Sequence, residues 1–463
     1  MRVTFCSPHP RRGRAVPIWV LAVALLSSGR VAAAEASAPP QIPSQLSLPE
    51  AERIFLERGL DLLIAQYGVE GAEGDVKAAG AHPNPGLDVG ATYAPAVKRG
   101  VIYGLGTNAA SEPTWGLNFG VNDNAAIEDQ LSGKHSLRVE GAEKALAAAR
   151  LNVGDVKRLG LSGLRQAYVT AVMSQLNVDA AKESLETYDK QLALNQKRYD
   201  EGAISGLDLS RATQADLEAQ QTLDQAQSGA KQAIASLLFL LGVRGVAPAV
   251  ALTTPIGYSA LARLKDATVE PLTSQAVENR PDAKIAVANL EQAEVSVRQA
   301  RRSRFPDISL SLGYSEQCSG NTNASCSSLP AFSAGLQGNV PLLYQQQGEI
   351  ARAESNARAA QQRLDKVKAQ VLVDVTQAFA AYLAAKSQVE RMEGKLLEQA
   401  KVSRDLAQHM YQRGAASFID FMEAQRAYVA NRLEYHQDLA NYWNAVYGLE
   451  QATAIQIREP APR

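Results

Sequence analysis

Cysteine is nearly absent. The chain has three in 463 residues, and Cys6 precedes everything that reads as mature protein. No run of about 18 or more apolar residues follows the N-terminus, so no membrane-spanning helix is expected. Aromatic residues make up only 6%, and the formal net charge is −1. That balance excludes the basic footprint of a nucleic-acid binder. The five histidines (His9, His82, His135, His409, His436) are scattered, and none stands at zinc-ligand spacing from a cysteine. Phosphate-binding loops, paired-histidine helices and nucleophile elbows are missing as well. The expectation is a protein that is not an enzyme and takes no cofactor. With 46% hydrophobic and 21% charged residues, the chain is nonetheless ordinary folding material.

What is present is present twice. Tyr199-Asp-Glu-Gly202-Ala-Ile-Ser205-Gly-Leu-Asp208 returns as Tyr411-Gln-Arg-Gly414-Ala-Ala-Ser417-Phe-Ile-Asp420, 212 residues on. Upstream, Glu57, Asp61, Ile64, Pro85 and Tyr93 match Glu278, Asp282, Ile285, Pro306 and Tyr314, 221 residues on. A duplicated unit decides the architecture, so it is placed before any single element. The N-terminal part reads as an export signal over 1–34. Arg11, Arg12 and Arg14 precede the apolar Ala15–Leu26, and Ala32-Ala33-Ala34 offers a cleavage site. A retained anchoring helix is the alternative, and the apolar run is short for one. Cys6 lies before that run, which does not support a lipid-modified N-terminus. A Pro-rich lead (35–47) follows. Then come a first repeat (48–241), a linker without strong period (242–266), a second repeat (267–456) and a short tail (457–463).

Each repeat has the order helix, strand, strand, long helix, turn, helix. Helices are expected at about 48–80, 131–200 and 207–241, then at 267–304, 345–412 and 418–453. Strands are expected at about 86–94, 114–122, 307–315 and 331–340. Every strand alternates strictly: Leu87, Val89, Ala91 and Tyr93 against Asp88, Gly90 and Thr92 is one instance. One face is apolar and aromatic; the other is Gly, Ser, Asn, Gln and Thr. A half-buried sheet on a globular core would also alternate. The strand length and the small polar second face instead suit tilted strands around a wet lumen. Tyr93, Trp115, Phe119, Tyr314 and Phe332 are candidates for an interfacial aromatic girdle. Four strands cannot close a barrel, since known ones start at about eight, and an open edge cannot face lipid. Several chains must therefore contribute. The fold class is mainly α with a β-barrel contribution, in two tandem repeats. Leu364, Val367, Val371, Val375, Ala378 and Tyr382 form a coiled-coil seam along the 345–412 helix.

Cys318 and Cys326 flank a polar loop. In an exported chain this suggests a disulfide; free thiols or half a metal site are the alternatives. At the repeated turns, Gly202 and Gly414 free the backbone for a left-handed conformation. Ser205 and Ser417 can cap the next helix, and Asp208 and Asp420 suit its positive first turn.

Asn279-Arg280-Pro281-Asp282, Phe305-Pro306-Asp307 running to Tyr314, and Tyr411 to Ala424 make the chain resemble the TolC family of outer-membrane efflux proteins. The resemblance covers nearly the whole mature chain. His82-Pro-Asn-Pro-Gly-Leu87 and Val340-Pro-Leu-Leu-Tyr-Gln-Gln-Gln-Gly348 are similar to the branch serving heavy-metal pumps of the RND type; related sequences serve drug or solvent pumps. It implies a homotrimer with a twelve-stranded outer-membrane barrel on a long α-helical periplasmic tunnel. Its partners would be a periplasmic adaptor, an inner-membrane transporter and outer-membrane lipid, with no nucleic acid. By the same resemblance, the two turns (Tyr199 to Asp208, Tyr411 to Asp420) would dock the adaptor. Asp405 would contribute to an acidic ring at the closed entrance, where the first copy has Ala193. Gln408, one turn on, is neutral where a second acidic ring would stand. A solvated Asp405 paired with Arg404 or Arg413 is the plainer account. A periplasmic adaptor or a non-conducting coiled-coil protein would share the helices but not two membrane-length hairpins.

Overall fold

The computed structural model describes residues 42–94, 114–245, 248–265, 267–319 and 327–457. The signal segment, Cys326 and nearly all of the tail lie outside them.

Ten helices and six strands are described. The first repeat contains α1 (Leu48–Arg58), α2 (Leu60–Gly80), β2 (Gly86–Ala94), β3 (Thr114–Asn122), α3 (Ala126–Leu131), α4 (Lys134–Asp200) and α5 (Gly206–Leu240). The second contains α6 (Val269–Asn279), α7 (Pro281–Arg302), β5 (Ile308–Ser319), β6 (Ser327–Gly338), α8 (Gln347–Arg391), α9 (Leu397–Gln412) and α10 (Phe418–Thr453). A π turn, Met392–Leu396, joins α8 to α9 without breaking the rod. Two short strands, β1 (Gln45–Leu46) and β4 (Ala251–Leu252), pair in parallel and tie the lead to the linker.

Several expected boundaries are corrected. The helices expected at 48–80 and 267–304 are each split, at Gly59 (φ −56°, ψ 122°) and Arg280 (φ −61°, ψ 127°). Pro281 forces the second break, because proline disfavours helix at the residue before it. Gly59 stands 221 residues earlier, at the matching place, and adopts the same kink. The helix expected from 131 is interrupted at Gly133 (φ 75°), so α3 stands apart from α4. The second hairpin is longer than the apolar alternation indicates. Ser315 to Ser319 continues β5 because β3 lies beside it as a template, pairing Thr114 with Ser319 and Asn118 with Ser315. β6 stops at Gly338, before Pro341, which cannot donate to a ladder.

The helices form one layer. In the half nearer the sheet the neighbours run α2, α4, α7, α8; in the far half they run α5, α4, α10, then α8 and α9. The long rods α4 and α8–α9 pass through both halves, each about 100 Å long. The main core sits between the halves, where Leu46, Phe55, Tyr168, Leu238, Tyr382, Tyr442 and Leu449 are buried. There the Tyr168 hydroxyl donates to Leu46 O at 2.9 Å, and Trp443 Nε1 donates to Gly257 O at 3.0 Å.

Candidate channel wall and entrance

The four long strands make one sheet in the order β2-β3-β5-β6, all neighbours antiparallel. The register lines up rows of apolar side chains across it. Val89, Phe119, Tyr314 and Phe332 form one row; Leu87, Val121, Leu312 and Ala334 form the next. The Tyr314 and Phe332 rings stand 5.2 Å apart. Tyr93, Trp115 and Cys318 share a row farther toward the hairpin ends. Between these rows, Ala91 and Leu117 lie level with Glu316 and Pro330, so polarity returns on the second hairpin sooner than on the first. The opposite face carries Asp88, Gly90, Asn118, Gly120, Ser311, Gly313, Ser333 and Gly335. Among the described residues nothing covers the apolar face: Val89 is 64% and Phe332 85% exposed. A contiguous bare surface of this size needs an apolar medium or partner. Cys318 is buried and disulfide-bonded.

At the far end the two turns are built alike. Gly202 (φ 74°) and Gly414 (φ 73°) sit in the left-handed region. Ala203 N–H reaches back to Arg198 O at 2.7 Å, and Ala415 N–H to Met410 O at 2.8 Å, closing each helix end. Ser205 and Ser417 accept the amides of Asp208 and Asp420 at 3.2 Å. Only Ser417 completes the reciprocal box, its own N–H donating to Asp420 Oδ2 at 2.9 Å. The Ser417 hydroxyl, donating to Asp420 Oδ2 at 2.7 Å, and then the Ser417 N–H hold the Asp420 carboxyl below its usual range. The tyrosines differ. Tyr199 is exposed, whereas Tyr411 is buried against Phe418 and Phe421, donates to Asn195 Oδ1 and lies under the Arg198 guanidinium. The turns thus touch, leaving a groove of about 390 Å³ lined by Arg198, Ile204, Asp208, Gly414 and Ile419.

Asp405 and Gln408 lie on one face of α9, both partly exposed. Arg404 Nε is 2.6 Å from Asp405 Oδ1. The same guanidinium stacks 4.2 Å from the Tyr428 ring and lies 3.9 Å from Glu183, which also accepts from Arg432. One arginine therefore links α9 to α4 and α10. The sequence left Arg404 and Arg413 open as partners; the structure places Arg404 there.

Behind this network His436 is buried, its Nδ1 2.7 Å from Asn177 Oδ1. Burial, and then the nearby Arg432 charge, push its pKa down to about 4. The folded chain keeps the ring neutral, while the unfolded chain protonates it near pH 6.5. Stability is therefore full above pH 6.5 and falls as pH drops toward 4, by on the order of 2 kcal/mol. Melting temperatures at pH 7.5 and 4.5 will show this loss, and His436→Gln will flatten it.

Sequence reasoning missed two clasps. Asp123, where β3 ends, accepts the amides of Leu310, Ala125 and Ile127, so the first repeat is stitched to the second at the foot of the sheet. Its signal was the turn-forming run Asn122-Asp123-Asn124. Arg280 is the other; its conformation followed from Pro281, but two of its partners, Asp374 and Ala452 O, are remote in sequence.

The pattern of the family described as "Outer membrane efflux protein" matches residues 53–243 and 272–454, one stretch in each repeat. The chain belongs to this outer-membrane efflux family. Protein CyaE of Bordetella pertussis is 26% identical over 261 residues, 56% of this chain but only about half (54%) of that protein. The pyoverdine export outer membrane protein OpmQ of Pseudomonas aeruginosa is 25% identical over 331 residues, covering 70% and 67% of the two chains. Cation efflux system protein CusC of Escherichia coli K12 is 23% identical over 321 residues, 68% of each. The solved structure of CusC superposes with a TM-score of 0.68 at 20% identity, covering 90% of this chain and 98% of that one. As an outer-membrane efflux protein, the chain belongs to the outer membrane, with most of its length in the periplasm.

Proposed function

We propose that three copies of this chain form the exit duct of a tripartite efflux pump. The observation that carries the reading is the pair of open edges. β2 and β6 bound the sheet and run in opposite directions, so β6 of one copy can continue antiparallel onto β2 of the next. Lipid demands that closure, since unpaired amides cannot face it. Three copies give twelve strands, within the known range. The helical layer repeats the logic, with α2 and α5 at one margin and α8 and α9 at the other. Leu217 on α5 and Val402 and Leu406 on α9 are bare apolar residues at those margins.

The duct conducts passively, and energy comes from an inner-membrane transporter, here of the RND type, through a periplasmic adaptor. Tyr199, Gly202, Ser205, Asp208, Tyr411, Gly414, Ser417 and Asp420 build the adaptor-docking tips. Tyr93 and Trp115, with Phe119, Tyr314 and Phe332, supply the aromatic contact with outer-membrane lipid. Cys318 pairs with Cys326 in the outer loop. Heavy-metal cations are the favoured cargo, supported by the likeness to CusC. Separation of inner and outer membranes, followed by sizing in detergent, tests the assembly; a soluble monomer would sink it.

At the entrance, Asp405 and Gln408 from three copies converge near the axis, with Arg404 holding Asp405 in place. Three carboxylates there attract cations and narrow the opening. In planar bilayers Asp405→Ala will raise single-channel conductance about two-fold or more. Unchanged conductance removes Asp405 from the gate.

A further inference from the structure

The two copies are not spaced evenly along their long rods. Gln166-Ala167-Tyr168 matches Gln377-Ala378-Phe379 at a spacing of 211, yet Tyr199 matches Tyr411 at 212. The second copy has gained one residue between these points. The structure locates it. α4 runs unbroken from Lys134 to Asp200, while its counterpart contains the π turn Met392–Leu396, closed by Leu397 N–H donating to Met392 O. A single π turn absorbs one surplus residue without rotating the flanking helix faces.

Burial follows the same alignment down to the turn and departs from it beyond. Leu164, Tyr168, Ala171, Val178 and Ala181 are buried on α4, and so are Val375, Phe379, Tyr382, Val389 and Met392 at 211. Farther on, α4 continues to bury Ser184, Tyr188, Gln191 and Asn195. The matching Leu396, Ala400, Ser403 and Ala407, now at 212, are not buried. From Glu393 to Met410 no side chain is buried at all, until Tyr411 is seated among Phe418 and Phe421. The rod is pinned by buried side chains at Met392 and Tyr411, and between them Arg404 tethers it to Glu183 and Tyr428. That stretch contains Arg404 and Asp405, and its upper end contains Gly394, around which there is open space.

We propose that the Met392–Leu396 π turn is the moving part of the tunnel entrance, a one-residue surplus that slides along α9 and rotates the segment between its two pins. Passage of the surplus turns that segment by one residue, about 100°, which carries Asp405 off the axis without unseating either end. The first copy lacks the surplus, so α4 and α5 stay fixed as the frame. This inference rests on the entrance reading above, whose own test is the conductance of Asp405→Ala.

Spin labels at Lys401 on α9, and separately at Lys386 on α8, report distances across the trimer. Arg404→Ala releases the contacts to Glu183 and Tyr428. The Lys401 distances will then broaden and shift, and the Lys386 distances will not. Deletion of Gly394 in the same background restores a regular helix and will abolish the Lys401 shift. If the deletion variant fails to form trimers, Gly394→Ala decides, because it keeps the length and stiffens the turn: a reduced shift supports the proposal. The proposal is overturned if Lys386 moves with Lys401, if Lys401 does not move, or if the shift survives these Gly394 variants. A static Lys401 beside a raised Asp405→Ala conductance refutes the sliding turn alone; an unchanged conductance refutes the acidic gate.

Discussion

Replacing Phe119 by arginine will keep the chain out of the outer membrane. Phe119 stands in a central row of the apolar sheet face, between Val89 and Tyr314. Among the described residues no side chain of its own protomer covers that face, so the arginine would meet hydrocarbon directly. A cation at mid-depth on a barrel's lipid face costs about 2–4 kcal/mol, and three copies bear it together. The helices have separate cores and will still form. Membrane fractionation should therefore find folded helical protein without the detergent-resistant trimer. The control is Asn118→Arg, one residue away on the small polar face. It will insert and alter conductance instead. Equal insertion of the two variants would reverse the assignment of lipid and lumen faces.

The second large effect is expected at Arg280. Its side chain is only 6% exposed, and its guanidinium donates to Asp282 at 2.6 and 3.0 Å, to Asp374 at 2.9 Å and to Ala452 O at 3.2 Å. It thereby binds the start of α7, the middle of α8 and the C-terminal end of α10, where carbonyls are left over and the helix dipole is negative. Burial alone would raise the Asp282 carboxyl; the Arg280 hydrogen bonds and charge instead hold it below its usual range. Arg280→Met strands two partly buried carboxylates and a carbonyl, at a cost of about 3–5 kcal/mol. Arg280→Lys keeps the charge without the fork and will fall between. Trimer melting curves will rank the three proteins. If Arg280→Met melts like wild type, the clasp contributes nothing.

Much of this was legible in the chain because the cues are local and come in pairs. Gly202 and Gly414, each followed by a capping serine and an aspartate, mark the turns from sequence alone. Strand alternation placed β2 and β3 at their observed bounds. The second hairpin was shortened because Glu316 and Pro330 interrupt the apolar count, and a ladder depends on its neighbour strand rather than on its own side chains. The kink at Gly59 was hidden, since its φ of −56° and ψ of 122° are open to any residue and no proline follows to mark the break. The bonds of Arg280 to Asp374 and Ala452, and the contacts of Arg404 with Glu183 and Tyr428, were out of reach, because those partners lie far along the chain on other helices.

The sequence by itself determined the duplication, the two periodicities and the chemistry of each strand face, since hydrophobic period and turn residues act over a few residues. Only the tertiary structure decided which edges remain open, where the surplus residue of the second copy is stored, and that the rod of the second copy buries Met392 and Tyr411 but no side chain between them. Those depend on burial and pairing across the whole fold, which local sequence does not encode.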